Sequence, residues 1–445
     1  MADGAAYIEL GLDRTAPDLD GQSDRAPGSR PWRWPAVAGC AGLALLLPAG
    51  SAAPAPPQLI RTATMRLQPT DTVINTDDLV LVSSATGNDR AGRLLTAYAA
   101  PSGRRRWAVA TRSADGNPML VRSAGDVLVT YNQVGTHLST TARSARTGAE
   151  IWSTSGSVDA PDGADTALVS EYPAPDNPTL LSSPMDTVGP TTVRAVDIKT
   201  GRTLWSSTFR EYLNPAMASD GRRVVLVSGD GTVEVRQART GAVLASGPAL
   251  AASPAGRRTT MVCADTLVAM EPVGDEVTAL DLSTLAVRWR RPISGIGSFG
   301  CGELLFLATD SSNRPGVAAV DLVTGAVTWQ REDIWMVASA GDQLIGYALG
   351  SVQPVQPVVA LETRTGRLLT DLRGWELTQG APGRLTVLTR PLAGRLGTEI
   401  GLLDRTDTVR VLGRSAVVGV TCFGLRRFVA CREGDRRMTM WRLRR

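Results

Sequence analysis

Short apolar stretches recur along most of the chain, and each is bounded by glycine, aspartate, asparagine or another turn-forming residue. Typical examples are 79–82, 224–227 and 304–307, which read LVLV, VVLV and LLFL. Runs of this length between turn formers favour β-strands over helices. Because no segment after residue 60 keeps a helical hydrophobic period, the pattern predicts an almost entirely β protein.

A second pattern marks the turns that follow these stretches. Its most complete copy is 321–329, DLVTGAVTW, in which Trp329 lies four residues after Gly325. The copies place their corners 40 to 53 residues apart, at Gly103, Gly148, Gly201, Gly241, Leu285, Gly325, Gly366 and Asp407. Glycine suits a hairpin corner that needs positive φ, and the Asp and Thr beside it can hydrogen-bond the local backbone. A β-rich repeat of about 40 residues predicts a β-propeller with one four-stranded blade per repeat.

The pattern Asp-x-x-Thr-Gly-x-x-x-Trp resembles the repeat of the pyrroloquinoline-quinone-type β-propellers, a family that includes quinoprotein dehydrogenases and outer-membrane assembly lipoproteins. The resemblance covers residues 60 to 445. It implies that the repeated indole packs between neighbouring blades. The residues that match that position are Trp107, Trp152, Trp205, Trp289 and Trp329. Ala245, Thr370 and Val411 occupy the same place in the other copies, so blade docking should be weaker there.

The number of blades follows from how the ring closes. After the eighth corner the chain forms one more hairpin, 428–441, with no strand after it. The candidate strand at 61–68 could complete this last blade and remove an open sheet edge. Eight corners and a shared blade count to nine, but propellers usually have four to eight blades. We therefore expect eight blades, with one imperfect copy as an elaboration; seven and nine are the alternatives.

The N-terminal region has a different composition. Residues 1–33 are polar and aperiodic, which predicts a disordered tail, whereas 34–53 carry no charge and are long enough for one transmembrane helix. Arginines at 25, 30 and 33 precede this helix. They predict a single-pass cell-membrane protein with a cytoplasmic N-terminus. Residues 54–60 then form an Ala/Pro stalk, and 61–445 form an extracytoplasmic propeller.

Two other interpretations of this region remain open. Val37 to Cys40 matches a lipobox, although the leucine-rich core follows Cys40 instead of preceding it. The small residues at 50–53 could alternatively form a signal-peptide cleavage site. In every case the propeller is exported.

Four of the five cysteines lie in the exported region, and an oxidising compartment favours disulfides. Cys263 and Cys301 each precede the apolar stretch of their blade, so the two could meet across neighbouring blades. Cys422 and Cys431 flank a tight return and could pair within one blade. We predict these two pairs, although four cysteines allow three pairings.

Composition narrows the possible functions. The net charge of +4 is far from the clustered basic stripe of a nucleic-acid-binding protein. The only histidine, His137, has no serine or cysteine motif beside it, and metal sites usually need several imidazoles or thiolates. We therefore expect no metal, cofactor or catalytic residue. Asp220, Asp230 and Asp310 lie in turn sequences rather than in a ligand motif.

Three function classes fit a propeller. A quinone-dependent dehydrogenase is the main alternative. Enzymes of that class resemble this protein in fold, but they also carry an adjacent Cys-Cys pair and sometimes a Cys-x-x-Cys-His haem site. Neither motif occurs in this sequence. A glycan-binding or lyase-type propeller would need clustered Tyr, His and acids, whereas the chain has six Tyr and one His. The sequence therefore favours a non-catalytic, membrane-anchored scaffold that binds an unidentified protein partner at the cell surface.

Overall fold

The structure is a computed structural model. It describes residues 59–444 except 77, 87–91, 112–118, 135–136, 162, 173–189, 211–212, 253–257, 272–275, 293–297, 312–313, 341–342, 349–355, 378–384, 393, 395, 405–407 and 435. All regular structure in these residues is β, in 36 strands. The predicted tail and transmembrane helix lie outside the described residues. Within them, no helix is long and apolar enough to cross a bilayer.

The strands are numbered in chain order. Those of the first half are β1 (Leu59–Arg66), β2 (Thr72–Asn75), β3 (Leu79–Ala85), β4 (Arg93–Ala99), β5 (Arg105–Thr111), β6 (Met119–Ala124), β7 (Val127–Val134), β8 (His137–Ser144), β9 (Glu150–Ser155), β10 (Ser157–Asp159), β11 (Thr166–Glu171), β12 (Thr191–Asp197), β13 (Thr203–Phe209), β14 (Leu213–Met217), β15 (Arg223–Ser228), β16 (Thr232–Gln237) and β17 (Val243–Pro248). Those of the second half are β18 (Thr259–Cys263), β19 (Thr266–Glu271), β20 (Glu276–Asp281), β21 (Val287–Pro292), β22 (Ser298–Cys301), β23 (Leu304–Ser311), β24 (Arg314–Asp321), β25 (Val327–Arg331), β26 (Met336–Ala340), β27 (Gln343–Tyr347), β28 (Pro357–Glu362), β29 (Leu368–Asp371), β30 (Glu376–Leu377), β31 (Val387–Pro391), β32 (Thr398–Leu403), β33 (Val409–Ser415), β34 (Val420–Gly424), β35 (Phe428–Glu433) and β36 (Arg437–Leu443).

Across the described residues these strands form nine antiparallel four-stranded sheets, so the protein is a nine-bladed propeller. Blade 1 comprises β2–β5, and each later blade takes the next four strands, up to blade 8 with β30–β33. The expectation of eight blades was wrong. Each imperfect copy, with Ala245, Thr370 or Val411 in place of tryptophan, still ends a complete sheet. The corner and the apolar strands are therefore sufficient to build a blade without the indole.

Blade 9 closes the ring by combining the two ends of the propeller. The strand order is β1, β36, β35, β34, and β1 pairs antiparallel with β36 from Leu59 opposite Leu443 to Arg66 opposite Arg437. The predicted contribution of an N-terminal strand to the last blade is confirmed. Pairing in this way supplies a partner for an edge that would otherwise be open.

The core lies between blades rather than within them. Second strands such as β19 and β27 are almost fully buried, whereas fourth strands such as β17 alternate between exposed and half-buried residues. One apolar cluster combines Val225 and Val235 of blade 4 with Leu267 and Leu280 of blade 5. Each blade therefore depends on its neighbour for burial, as expected for a repeat that cannot form a core alone.

The up-and-down order of the strands gives the ring two faces. Turns between first and second strands lie on the same face as turns between third and fourth strands. The latter turns carry the repeat motif, so we call this side the corner face. The strand β1 also begins on the corner face, at Leu59.

Candidate functional site: the blade corners and the outer rim

The repeat motif folds as a compact turn held by its own side chains. In blade 6, Asp321 Oδ1 accepts hydrogen bonds from the backbone N–H of Val323 (3.0 Å) and of Thr324 (2.7 Å), and from the Thr324 hydroxyl (2.8 Å). The Thr324 hydroxyl oxygen accepts the N–H of Ala326 at 3.2 Å. The hydrogen bond from the N–H of Thr324 is the main cause of the lowered pKa of Asp321. The carboxylate therefore remains ionised at neutral pH.

The corner residue adopts the predicted positive φ. Gly325 has φ of 70°, and its N–H donates to the carbonyl of Asp321 at 2.9 Å. Leu285 has φ of 59° and is one of two non-glycine residues with positive φ in the described chain. The turn geometry therefore persists where the sequence lacks glycine, at the steric cost that L residues have in this region.

Each repeated indole lies against the corner of the next blade. The Nε1–H of Trp289 in blade 5 donates to the carbonyl of Leu322 in blade 6 at 3.0 Å. A Cβ placed on Gly325 would lie 2.6 Å from Cγ of Trp289. Glycine is thus needed at the corner both for its φ and because the ring of the preceding blade lies directly on it.

The same contact recurs at the other tryptophans. The pairs are Trp107 with Gly148, Trp152 with Gly201, Trp205 with Gly241 and Trp329 with Gly366. In each, Nε1–H donates to a corner carbonyl of the next blade, at Ala145 (3.0 Å), Ile198 (2.9 Å), Ala238 (2.8 Å) and Thr363 (3.1 Å). Trp107, Trp289 and Trp329 are buried, and Trp152 and Trp205 are partly buried.

Blade junctions without this indole are filled differently. Between blades 4 and 5, Ala245 takes the tryptophan position, and the corner opposite carries Leu285 instead of glycine. Both side chains pack on the same apolar cluster. At this junction a small residue thus takes the place of the indole, and a larger residue takes the place of the glycine.

A similar replacement occurs between blades 7 and 8. Thr370 takes the tryptophan position, and the buried ring of Trp375 joins Tyr347 and Leu372 in the shared cluster. The guanidinium of Arg390 lies 4.4 Å from the ring centroid of Trp375. The repeat motif did not indicate Trp375, because it lies after the fourth strand. Its separation of 40 residues from Trp335 was the available signal.

The structure joins the four cysteines of the propeller in two disulfides. Cys263 and Cys301 end the first strands of blades 5 and 6, and their Cα atoms are 5.7 Å apart. Cys422 and Cys431 are opposite residues of β34 and β35 and are fully buried. One disulfide therefore joins two blades, and the other joins two strands of blade 9.

The remaining candidate residues lie in three different blades, on strands or in the turns between them. His137 begins β8 and Asp310 lies in β23. Asp220 forms an ion pair with Arg223 at 3.1 Å, and Asp230 accepts from the N–H of Thr232 at 2.8 Å. No group of three or more His, Cys, Asp or Glu side chains in these ranges is placed to hold a metal ion.

Exposed aliphatic side chains are distributed unevenly among the outer, fourth strands of the blades. At the second position after the corner, four consecutive blades expose an aliphatic side chain; these are Val243 (54 % exposed), Val287 (43 %), Val327 (43 %) and Leu368 (48 %). Blades 1, 2 and 3 carry Arg105, Glu150 and Thr203 at the same position. We call Val243, Leu244, Val287, Val327 and Leu368 the aliphatic rim. Leu244, beside Val243, is 56 % exposed.

Part of the sequence matches a known protein family. The sequence profile of the family described as outer membrane protein assembly factor BamB matches residues 139–298, from the third strand of blade 2 to the first residue of blade 6. The predicted family resemblance is confirmed. No curated protein matches this sequence.

Solved structures similar to this chain include one natural and one designed protein. BamB from Moraxella catarrhalis is 18 % identical, with coverage of 86 % of this chain and 98 % of that chain and a TM-score of 0.40. The computationally designed Ika8 protein is 13 % identical, with coverage of 87 % and 100 % and a TM-score of 0.41.

Proposed function

We propose that this PQQ-type propeller is a membrane-anchored, extracytoplasmic scaffold that binds another protein and catalyses no reaction. The main support for this proposal is the sequence match of residues 139–298 to the family of an assembly factor. The contacts between the indoles and the corners of the next blades also support the proposal. A ring whose blades are held to one another can present a binding surface without rearranging. The partner is a protein, and the bound state requires no cofactor.

Anchoring and export rest on the sequence together with the disulfides. The uncharged segment 34–53 is preceded by three arginines within nine residues, an arrangement that favours a cytoplasmic N-terminus and a propeller on the other side. The Cys263–Cys301 and Cys422–Cys431 bonds support an oxidising compartment.

The aliphatic rim is the surface that best fits a protein partner. Its side chains lie on or beside the fourth strands, whose outer edges have no strand partner in their sheets. An exposed edge can pair with a strand of another protein, and neighbouring apolar side chains then supply burial. We propose that the partner contacts blades 4 to 7 with a neutral, aliphatic surface.

Photo-crosslinking of the full chain in its native membranes tests this function. A crosslinking residue introduced in turn at Val243, Val287, Val327 and Leu368 should capture the same single protein from at least two neighbouring blades. The double variant Val243→Asp/Leu244→Asp should reduce capture from position 287 at least tenfold, because two buried charges oppose the contact.

Leu396 provides a matched control, since it is 86 % exposed but lies in blade 8, away from the corner face. Leu396→Asp should leave capture at position 287 unchanged. The proposed scaffold function fails if the four rim positions capture no common protein, or if Leu396→Asp reduces capture as much as the rim variant does.

A further inference from the structure

Five exposed arginines lie together on the corner face of blade 9. They are Arg61, Arg426, Arg427, Arg442 and Arg444, which we call the arginine patch. Phe428, Arg442 and Ile60 are opposite one another on three adjacent strands, and the N–H of Leu443 donates to the carbonyl of Arg427 at 3.5 Å. With strands about 4.8 Å apart, the Cα atoms of Arg427, Arg442 and Arg61 lie within roughly 12 Å. They act as one positive region at physiological salt.

The patch departs from a charge pattern that the other blades follow. In blades 1 to 6 the turn between the first two strands exposes an acid; these acids are Asp78, Asp126, Asp165, Asp220, Asp265 and Glu303. Several of them neutralise a basic residue, as in Lys199–Asp165 (3.0 Å) and Arg364–Glu303 (2.6 Å). The corresponding turn of blade 9 carries Arg426 and Arg427 instead.

Four of the five arginines of the patch have no acidic partner among the described residues. Arg61, Arg427, Arg442 and Arg444 form no ion pair with any residue in the described ranges of the chain. On the flanking blades, the described acids of this face are Asp78 in blade 1 and Asp404 in blade 8, and Asp404 lies 3.9 Å from Arg410. The strands of blade 9 carry no acid at this end; Glu433 lies at the opposite end.

Few residues separate this patch from the proposed anchor in the sequence. Leu59, the first residue of β1, lies opposite Leu443, between Arg442 and Arg444 in sequence. Only residues 54–58 separate it from the apolar segment 34–53. Five extended residues span at most about 18 Å. If 34–53 cross the bilayer, the patch therefore lies within reach of the lipid headgroups.

We propose that the arginine patch binds the phosphate groups of anionic phospholipids in the membrane that anchors the chain. Guanidinium groups bind phosphate oxygens through paired N–H donors, and basic residues beside an anchor are attracted to an anionic membrane surface. Binding would hold the corner face of blade 9 against the bilayer and fix the orientation of the ring. This inference rests on the proposed membrane anchoring.

Energy transfer in the reconstituted full chain tests the orientation. A donor dye on Thr64→Cys, in a chain with Cys40→Ser, reports its distance from acceptor-labelled lipid headgroups. Transfer should rise when phosphatidylglycerol is added to phosphatidylcholine vesicles. Arg61→Glu/Arg442→Glu should lower the ratio of docked to undocked protein at least about 20-fold, because each arginine near such a surface changes this ratio about fivefold. Salt at 1 M should abolish the rise, since the screening length falls to about 3 Å.

The opposite end of the same blade supplies the control. Arg66 and Arg436 are both exposed there, and Arg66→Glu/Arg436→Glu makes the same charge change roughly 17 Å away along β1. This variant should still dock. Equal transfer on neutral and anionic vesicles, or equal loss in both variants, would overturn the proposal. Inorganic phosphate that competes better than chloride at equal ionic strength would assign the patch to free phosphate instead. Alkaline extraction of the unmodified chain from the vesicles would separately refute anchoring.

Discussion

Replacing Trp289 with alanine is expected to lower the free energy of unfolding by about 3–5 kcal/mol, the range for deletion of a large buried aromatic side chain. Trp289 is only 7 % exposed, although it belongs to an outer strand. The substitution removes its packing on Gly325 and leaves the carbonyl of Leu322 without its indole donor. Urea denaturation followed by far-ultraviolet circular dichroism measures the change.

Val287→Ala is the matched control, because Val287 lies on the same strand and is 43 % exposed. Its effect should stay within about 0.5 kcal/mol, as is usual for surface substitutions. A Trp289→Ala variant no less stable than Val287→Ala would show that the indole contact does not hold blades 5 and 6 together.

Removing the disulfide between blades 5 and 6 is expected to have the second large effect. Cys263→Ala/Cys301→Ala should lower the free energy of unfolding by about 2–4 kcal/mol in non-reducing buffer, because the bond closes a loop with a sequence separation of 38 residues. Thermal and urea denaturation of the oxidised proteins measure the loss.

Reductant supplies the control for this pair. When both disulfides are reduced, the unmodified protein should lose most of its extra stability over the variant. The variant should lose only the stabilisation that Cys422–Cys431 contributes. That bond spans a separation of nine residues and should stabilise less. Equal stability of variant and parent without reductant would show that Cys263 and Cys301 are not joined in the folded protein.

The sequence was sufficient to predict features that repeat within single blades. Strand positions follow from short apolar runs, and corner φ values follow from Thr-Gly and its neighbouring Asp, since both depend on residues close in sequence. Closure by an N-terminal strand also followed, because the last hairpin lacked a fourth strand. These inferences needed no knowledge of which side chains meet across blades.

Some features that depend on two blades were not predicted. The blade count was wrong because the usual range of four to eight blades was preferred to the nine that the corners and the shared closing blade indicated. Strand pairing decides whether a sheet forms, and it gives nine sheets in the described residues. The replacement of indole and glycine by Ala245 and Leu285 involves residues 40 positions apart, which pack on one apolar cluster only in the closed ring. The aliphatic rim and the arginine patch likewise appear only when equivalent positions are aligned on the structure.

The junction between blades 4 and 5 offers the most direct test of how the nine blades are joined. Ala245→Trp alone should destabilise by about 1–3 kcal/mol, because the new ring meets the side chain of Leu285. Leu285→Gly alone should also destabilise, because packing is lost despite relief of the positive φ. Together the two changes recreate the indole and glycine of the other junctions.

A double-mutant cycle on these two positions, measured by urea denaturation, therefore gives the deciding quantity. We expect a favourable coupling of about 2–3 kcal/mol, near the upper end for residues in contact. Additive effects, within about 0.5 kcal/mol, would contradict the claim that paired ring and corner residues lock each blade to the next.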